Sequence, residues 1–199
     1  MHILVSGSSG LIGSALLRFL RGRGDSVTVL RRPGTPLPVE QKFGYIGWDP
    51  ENGHLDGEGI HRMDAVVHLA GENIAAGRWT AARKARIRDS RVDSTRLIAE
   101  TMAGRPVPPK VLVCASAIGI YGDRPGESLI DESPAGQGFL AETCQAWEEA
   151  CDPALRKGIR VVNLRIGVVL DPSGGALGKM LLPFKLGLGG VMEIGRAHV

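Results

Sequence analysis

The sequence is short of the residues that announce a specialised chemistry. Three of its 199 residues are cysteine, Cys114, Cys144 and Cys151. They make no Cys-x-x-Cys pair, and an odd count does not build a disulfide framework, so they read as reduced structural thiols. The five histidines (His2, His54, His61, His68 and His198) are scattered without metal-ligand spacing, and no metal is expected. Aromatic residues make up 5 %, with only two tyrosines, Tyr45 and Tyr121. The basic run Arg83, Lys84, Arg86, Arg88, Arg91 has only Trp79 near it, so it lacks the interleaved aromatics of a nucleic-acid surface and reads as a solvated helix face. No apolar run approaches the roughly 18 residues of a membrane span. The opening MHILVSGSSG breaks at Gly7, too early for a secretory segment. Charge of either sign is also lacking in excess: 24 basic against 21 acidic residues leave +3. That balance calls for neither a nucleic-acid nor a membrane partner, and a soluble, cytoplasmic protein is expected.

Hydrophobic residues make up 43 %, enough for a buried core and too many for a disordered chain. At roughly 150 residues per domain the length fits one domain. Short apolar runs over 2–6, 26–30, 64–69, 110–116 and 160–164 predict buried strands, with a further short strand around Tyr45 to Trp48. Helical patterns separate them. In the first, Leu11, Ile12, Ala15, Leu16, Phe19 and Leu20 are expected on the buried face. A charged helix runs from about Thr80 to Ala103, and another begins near Phe139. Strands alternating with helices predict an α/β fold: a Rossmann-type doubly wound parallel sheet with helices on both faces.

The 28 glycines are clustered, not periodic. Gly7-Ser8-Ser9-Gly10-Leu11-Ile12-Gly13 reads G-x-x-G-x-x-G directly between the first strand and the first helix. Glycine there permits the tight turn, the approach of a pyrophosphate to the backbone, and close packing of helix on strand. The helix N-terminus then offers free N–H groups to the phosphates. The end of the second strand selects the cofactor. NAD sites place a carboxylate there for the ribose 2′-hydroxyl. Here Arg31-Arg32 follows Leu30, with no acid between Val27 and Gly34. Guanidinium groups pair with a 2′-phosphate, so NADP(H) is expected over NAD(H).

With HLAG at 68–71 and SAIGIYGD at 116–123, the glycine turn resembles that of the extended short-chain dehydrogenase/reductases. LAGEN (69–73), RW (78–79), SR (90–91), DESP (131–134), WEEAC (147–151) and the long string 164–190 resemble their NAD(P)-dependent epimerase-like subgroup, usually labelled nucleoside-diphosphate-sugar epimerases. The resemblance implies that Gly7, Ser9, Gly10, Leu11, Ile12 and Gly13 hold the pyrophosphate, and that Arg31 and Arg32 meet the 2′-phosphate and adenine edge. It places Leu69, Ala70 and Gly71 on the ribose path, Arg91 across the crevice, and Val168 and Val169 near the nicotinamide. Glu72 and Asn73 face the open site, either to touch substrate or as a structural cap.

Members of the superfamily use Tyr-x-x-x-Lys on a helix, where the spacing puts both side chains on one face and the lysine lowers the phenol's pKa. This chain has no such pair; Phe139 and Thr143 stand at the expected place. Two candidate catalytic residues remain, Ser116 at the end of the fifth strand and Tyr121 five residues on. The resemblance covers 1–190 as a dinucleotide-binding domain and implies that most of a C-terminal substrate domain, roughly 100 residues, is missing. EIGRAHV (193–199) does not fit the family continuation; it back-translates to a common sequencing adapter and is expected to be a non-native tail. Two functions stay open. One is an NADP(H)-dependent oxidoreductase or epimerase acting on a small substrate, nucleotide-sugar-like or otherwise; the other is an NADP(H)-binding sensor or scaffold without turnover.

Overall fold

Side chains alternate between the two faces of a strand, and the core divides accordingly. The computed structural model describes residues 1–35 and 43–187. The strands of its central sheet are His2–Ser6 (β1), Ser26–Arg31 (β2), Gly44–Asp49 (β3), His54–Leu55 (β4), Ala65–His68 (β5), Val111–Ala117 (β6) and Arg160–Ile166 (β7). They run in the order β4-β3-β2-β1-β5-β6-β7, parallel throughout except where β4 pairs with β3. A two-residue strand, Leu170–Asp171, stands apart from this sheet. The helices are Leu11–Gly22 (α1), Ala81–Ala103 (α2), Phe139–Glu149 (α3), Asp152–Arg156 (α4) and Gly175–Lys185 (α5). Ile3, Val5, Val27 and Val29 pack against Leu17 and Leu20 of α1. The alternate residues Leu4, Leu30, Val66 and Leu112 pack against Ile98 and Met102 of α2 and Trp147 of α3. This is the expected Rossmann-type doubly wound sheet, covered on both faces.

Several boundaries and one helix face differ from expectation. β5 ends at His68, so Leu69 begins a loop, while Arg31 is the last residue of β2. A separate helix, α4, follows α3, with Pro153 in its first turn, where a missing N–H is no loss. In α1 the buried residues are Gly13, Leu17 and Leu20, and Phe19 is 60 % exposed. The helix is turned this way because Gly13 lies against the Gly7–Ser8 backbone: a Cβ there would meet the Ser8 Cα at 2.8 Å. Phe19 is left outside, its ring beneath the Arg23 guanidinium.

The chain runs from β1 outward to β3 in one direction, then returns to place β5 on the other side of β1. That reversal opens a crevice beyond the carboxyl ends of β1 and β5, the position where doubly wound sheets bind ligands. No helix among the described residues is long and apolar enough to cross a membrane. Residues 188–190 of the expected domain and the 193–199 tail lie outside the described residues.

Candidate functional site

Gly7 leaves β1 with φ +68°, and a Cβ on it would stand 2.6 Å from the Leu69 carbonyl carbon and 2.7 Å from the Ala70 nitrogen. Only glycine allows both the left-handed backbone and this contact. The turn closes with the Gly10 amide donating to the Gly7 carbonyl at 3.1 Å. α1 then starts with no side-chain cap and no acidic residue in its first turn. Its leading N–H groups therefore lack a side-chain acceptor, and its positive dipole end meets no carboxylate of its own.

These features border a crevice of about 1030 Å³. Of the residues expected to hold a cofactor, Gly7, Ser9 and Gly10 line it from the turn, Leu69, Ala70 and Gly71 from the loop after β5, and Arg31 and Arg32 from the end of β2. Leu11, Ile12 and Gly13 follow in the first turn of α1 and do not form its wall. Arg18 and Arg21 of α1 and Arg86, Asp89 and Asp93 of α2 also line the wall. In the sequence Arg86 reads only as part of a solvated helix face and the other four are not singled out, because a helical face is recognised as a wall only once its partner is placed.

The two arginines at the end of β2, Arg31 within it and Arg32 just beyond, differ. Arg31 donates from Nε to the Thr35 carbonyl at 2.8 Å, adds a second bond to it from Nη2, and lies over the Tyr45 ring. It ties down its own loop. Arg32 has a half-exposed side chain whose salt bridge is the 3.9 Å approach to Glu51, itself 84 % exposed. An ion pair that open to water is worth little and yields readily to a phosphate.

The loop after β5 is held from behind by side chains. The Ser6 hydroxyl oxygen accepts from the Leu69 and Ala70 amides at 3.1 and 3.3 Å. Ser90 Oγ accepts from the Glu72 amide at 3.0 Å, and Arg91 Nη2 donates to the Glu72 carbonyl at 3.0 Å. Arg91 thus reaches the crevice loop through its rear. Its guanidinium sits behind Gly71, where a Cβ would come within 3.3 Å of Cζ, and over the Trp147 ring. Burial lowers its pKa from the ordinary value, with the nearby Cys144 and Glu72 acting in the other direction. The Glu72 carboxylate pairs with Arg83 and Arg86, so Arg83 is not simply a solvated charge. Asn73 accepts from the Ala75 amide in a local turn. Glu72 also lines the crevice.

Ser116 and Tyr121 belong to a second cluster, outside the crevice wall. Ser116 is buried on the face of β6 that meets α3, and its hydroxyl donates to Glu148 Oε1 at 2.6 Å. Arg165, the register partner of Ser116 on β7, donates to both Glu148 oxygens at 3.0 Å. Its Nη1 donates to the Tyr121 hydroxyl at 2.8 Å and to the Asp131 carbonyl at 2.7 Å. Burial raises the Glu148 carboxyl, but hydrogen bonds from Arg165 and Ser116 and the Arg165 charge outweigh it, and its pKa falls below the usual range. Val168 and Val169 are exposed. Neither Glu148 nor Arg165 was singled out from sequence, because a carboxylate in a helix and a cation in a strand give no local sign that they meet.

Phe139 and Thr143, at the places of the absent tyrosine and lysine, face other elements. The Phe139 ring meets Trp79 edge-on at 5.6 Å and lies under the Lys84 ammonium. Thr143 is buried, and its hydroxyl has no partner among the described residues.

A parallel sheet with a glycine turn at its switch point and an uncapped helix start beyond it defines the class: a Rossmann-type dinucleotide fold. Comparison with known proteins narrows it. The NAD dependent epimerase/dehydratase family model matches residues 3–181, and the chain belongs to that family. It is 41 % identical over 198 residues to an epimerase family protein of Mycobacterium tuberculosis, covering 99 % of this chain and 63 % of that protein. It is 38 % identical over 202 residues to the human epimerase family protein SDR39U1, covering 100 % and 64 %. Among solved structures, a nucleoside-diphosphate sugar epimerase from Corynebacterium glutamicum is 35 % identical with TM-score 0.78, over 98 % of this chain and 39 % of that one. Human SDR39U1 (isoform 2), solved with NADPH, is 34 % identical with TM-score 0.77, over 96 % and 61 %. The chain spans about 63 % of the length of the curated relatives it matches.

Proposed function

We propose that this chain binds NADP(H), in preference to NAD(H), as the cofactor-holding part of an oxidoreductase or epimerase that acts on a small, nucleotide-sugar-like substrate. The observation that carries the reading is Arg32, a loosely paired cation on the crevice wall at the end of β2. A guanidinium there favours a 2′-phosphate, where a carboxylate would favour a free hydroxyl. The NADPH in the structure of the human relative supports the same choice. The amides at the start of α1 would hold the pyrophosphate, and Leu69 to Gly71 would line the path of the ribose.

A bound nicotinamide supplies or accepts a hydride, and the protein must handle the accompanying proton. The Tyr121 oxygen accepts from Arg165, which leaves the phenolic proton for donation. The Ser116 proton is already given to Glu148, so Ser116 serves by orienting that carboxylate. A second reading, a cofactor-binding sensor without turnover, is favoured by Phe139 and Thr143 in place of the tyrosine–lysine pair.

The deciding experiment is titration of NADPH and NADH followed by nicotinamide fluorescence, with Arg32→Ala alongside. NADPH should bind at least about tenfold tighter than NADH, as expected for one charge-assisted pair, and the substitution should erase the difference. Equal affinities in the unsubstituted protein would sink the NADP(H) assignment.

A further inference from the structure

Ser6 and His68 close β1 and β5 at the switch point and are register partners in the parallel pair. Both are fully buried. Their side chains form a chain of hydrogen bonds whose proton positions can be worked out. Ser94 Oγ lies 2.7 Å from the Ser90 carbonyl, which can only accept, so Ser94 gives its proton there. The contact of 3.0 Å between Ser94 Oγ and His68 Nε2 then requires the proton on Nε2. His68 Nδ1 is left as an acceptor and takes the Ser6 hydroxyl proton at 2.6 Å. With its proton turned to the histidine, the Ser6 oxygen directs its lone pairs at the Leu69 and Ala70 amides. The Leu69 amide also reaches the Ser6 carbonyl at 3.3 Å, and the Ala70 nitrogen lies directly against Gly7, where a Cβ would stand 2.7 Å from it.

Burial supports the neutral ring. Desolvation alone pushes the His68 pKa down to about 3, with no charged neighbour contributing. The groups bonded or stacked on the ring are Ser6 from β1, Ser94 from α2 and the edge-on indole of Trp48 from β3. The register partner of His68 on β6 is Cys114, whose thiol meets Thr95 and the Ala115 carbonyl. An imidazolium would donate from both nitrogens and leave the Ser6 proton without an acceptor in the core.

We propose that His68 is a positioning residue for the dinucleotide crevice: fixed as the Nε2–H tautomer between Ser6 and Ser94, it orients the Ser6 hydroxyl and so sets the loop 69–71 against the glycine turn. The role rests on the cofactor reading above and deepens it. His68 does not touch the cofactor; it acts through Ser6.

The test has two parts. In the ¹⁵N-labelled chain, the His68 ring, identified by its loss in His68→Phe, should show the Nε2–H tautomer and no titration between pH 5 and 8. NADPH is then titrated into the unsubstituted protein and into Ser6→Ala, with circular dichroism confirming that both are folded. Loss of the hydroxyl should weaken NADPH binding by about tenfold. An Nδ1–H tautomer, or a ring that titrates near the ordinary value of 6.5, overturns the proposal on the unsubstituted protein alone. Binding by Ser6→Ala within about twofold of the unsubstituted protein overturns it while leaving the cofactor reading intact. Failure of the unsubstituted protein to bind NADPH removes the cofactor reading and this role with it. Where Ser6→Ala does not fold, Ser94→Ala frees Nε2 from a site further from the crevice and is held to the same two outcomes.

Discussion

Arg165 on β7 grips both carboxylate oxygens of Glu148 on α3, each at 3.0 Å, and through its remaining nitrogen holds Tyr121 and the Asp131 carbonyl. One guanidinium therefore fastens a strand, a helix, the turn after β6 and the loop that follows it. Arginine suits the task because its fork is planar and offers five donors in fixed directions. Arg165→Met should destabilise the chain by about 3 kcal/mol, since it leaves a partly buried carboxylate without its cation. Urea unfolding at pH 7 measures this, and a loss below about 1 kcal/mol would put the pair among ordinary surface bridges.

Acid should act through His68. Its folded pKa of about 3 lies below the ordinary 6.5, so the stability it contributes is complete above pH 6.5 and drains away as the pH falls toward 3. Below 6.5 the unfolded chain takes up a proton that the folded chain refuses. At pH 5 the loss is about 2 kcal/mol, or about 1.4 kcal/mol for each pH unit below 6.5. Comparing unfolding at pH 7.5 and pH 5 in the unsubstituted protein and in His68→Gln isolates it. The glutamine variant should lose less stability on acidification, and equal losses would count against a buried neutral ring.

Gly13→Ala tests the packing of α1. The added carbon would meet the Gly7–Ser8 backbone, which has no flexible side chain to yield. A loss of about 1–3 kcal/mol is expected, together with weaker NADPH binding because the turn must open. A melting temperature equal to that of the unsubstituted protein would mean that α1 moves without penalty.

Arg31 and Arg32 should separate in binding experiments. Arg31 holds the Thr35 carbonyl and Arg32 faces the crevice with a weak partner. Arg31→Ala is expected to weaken NADPH and NADH alike by loosening the loop, whereas Arg32→Ala should weaken NADPH alone. The reverse pattern in the two titrations would exchange their roles.

Thr143 has a buried hydroxyl with no partner among the described residues. Thr143→Val keeps the shape and removes the unsatisfied group, so stability should rise by about 1 kcal/mol. A fall in the urea midpoint would instead reveal a partner for that hydroxyl.

What the sequence determined by itself was local. The G-x-x-G-x-x-G turn, the Arg31-Arg32 step and the alternation of strand with helix involve residues a few positions apart, and chain geometry alone gives them meaning. From them the doubly wound sheet, the dinucleotide turn and the arginine step were legible, while the lining role of Ser9, Leu69, Ala70 and Gly71 came from the family resemblance. Tertiary structure decided the rest. The rotation of α1 came from a backbone contact at Gly13 that apolar periodicity does not register, so Phe19 fell outside and Leu17 inside. His68 stood in plain view within HLAG, yet its partners Ser6 and Ser94 lie 62 and 26 residues away. Arg165 and Glu148 are 17 apart on different elements, and Arg91 reaches Glu72 over 19. Hydrogen bonds between distant side chains leave no periodic trace, because whether a buried polar group is satisfied is settled only when the sheet and helices bring its partner within about 3 Å.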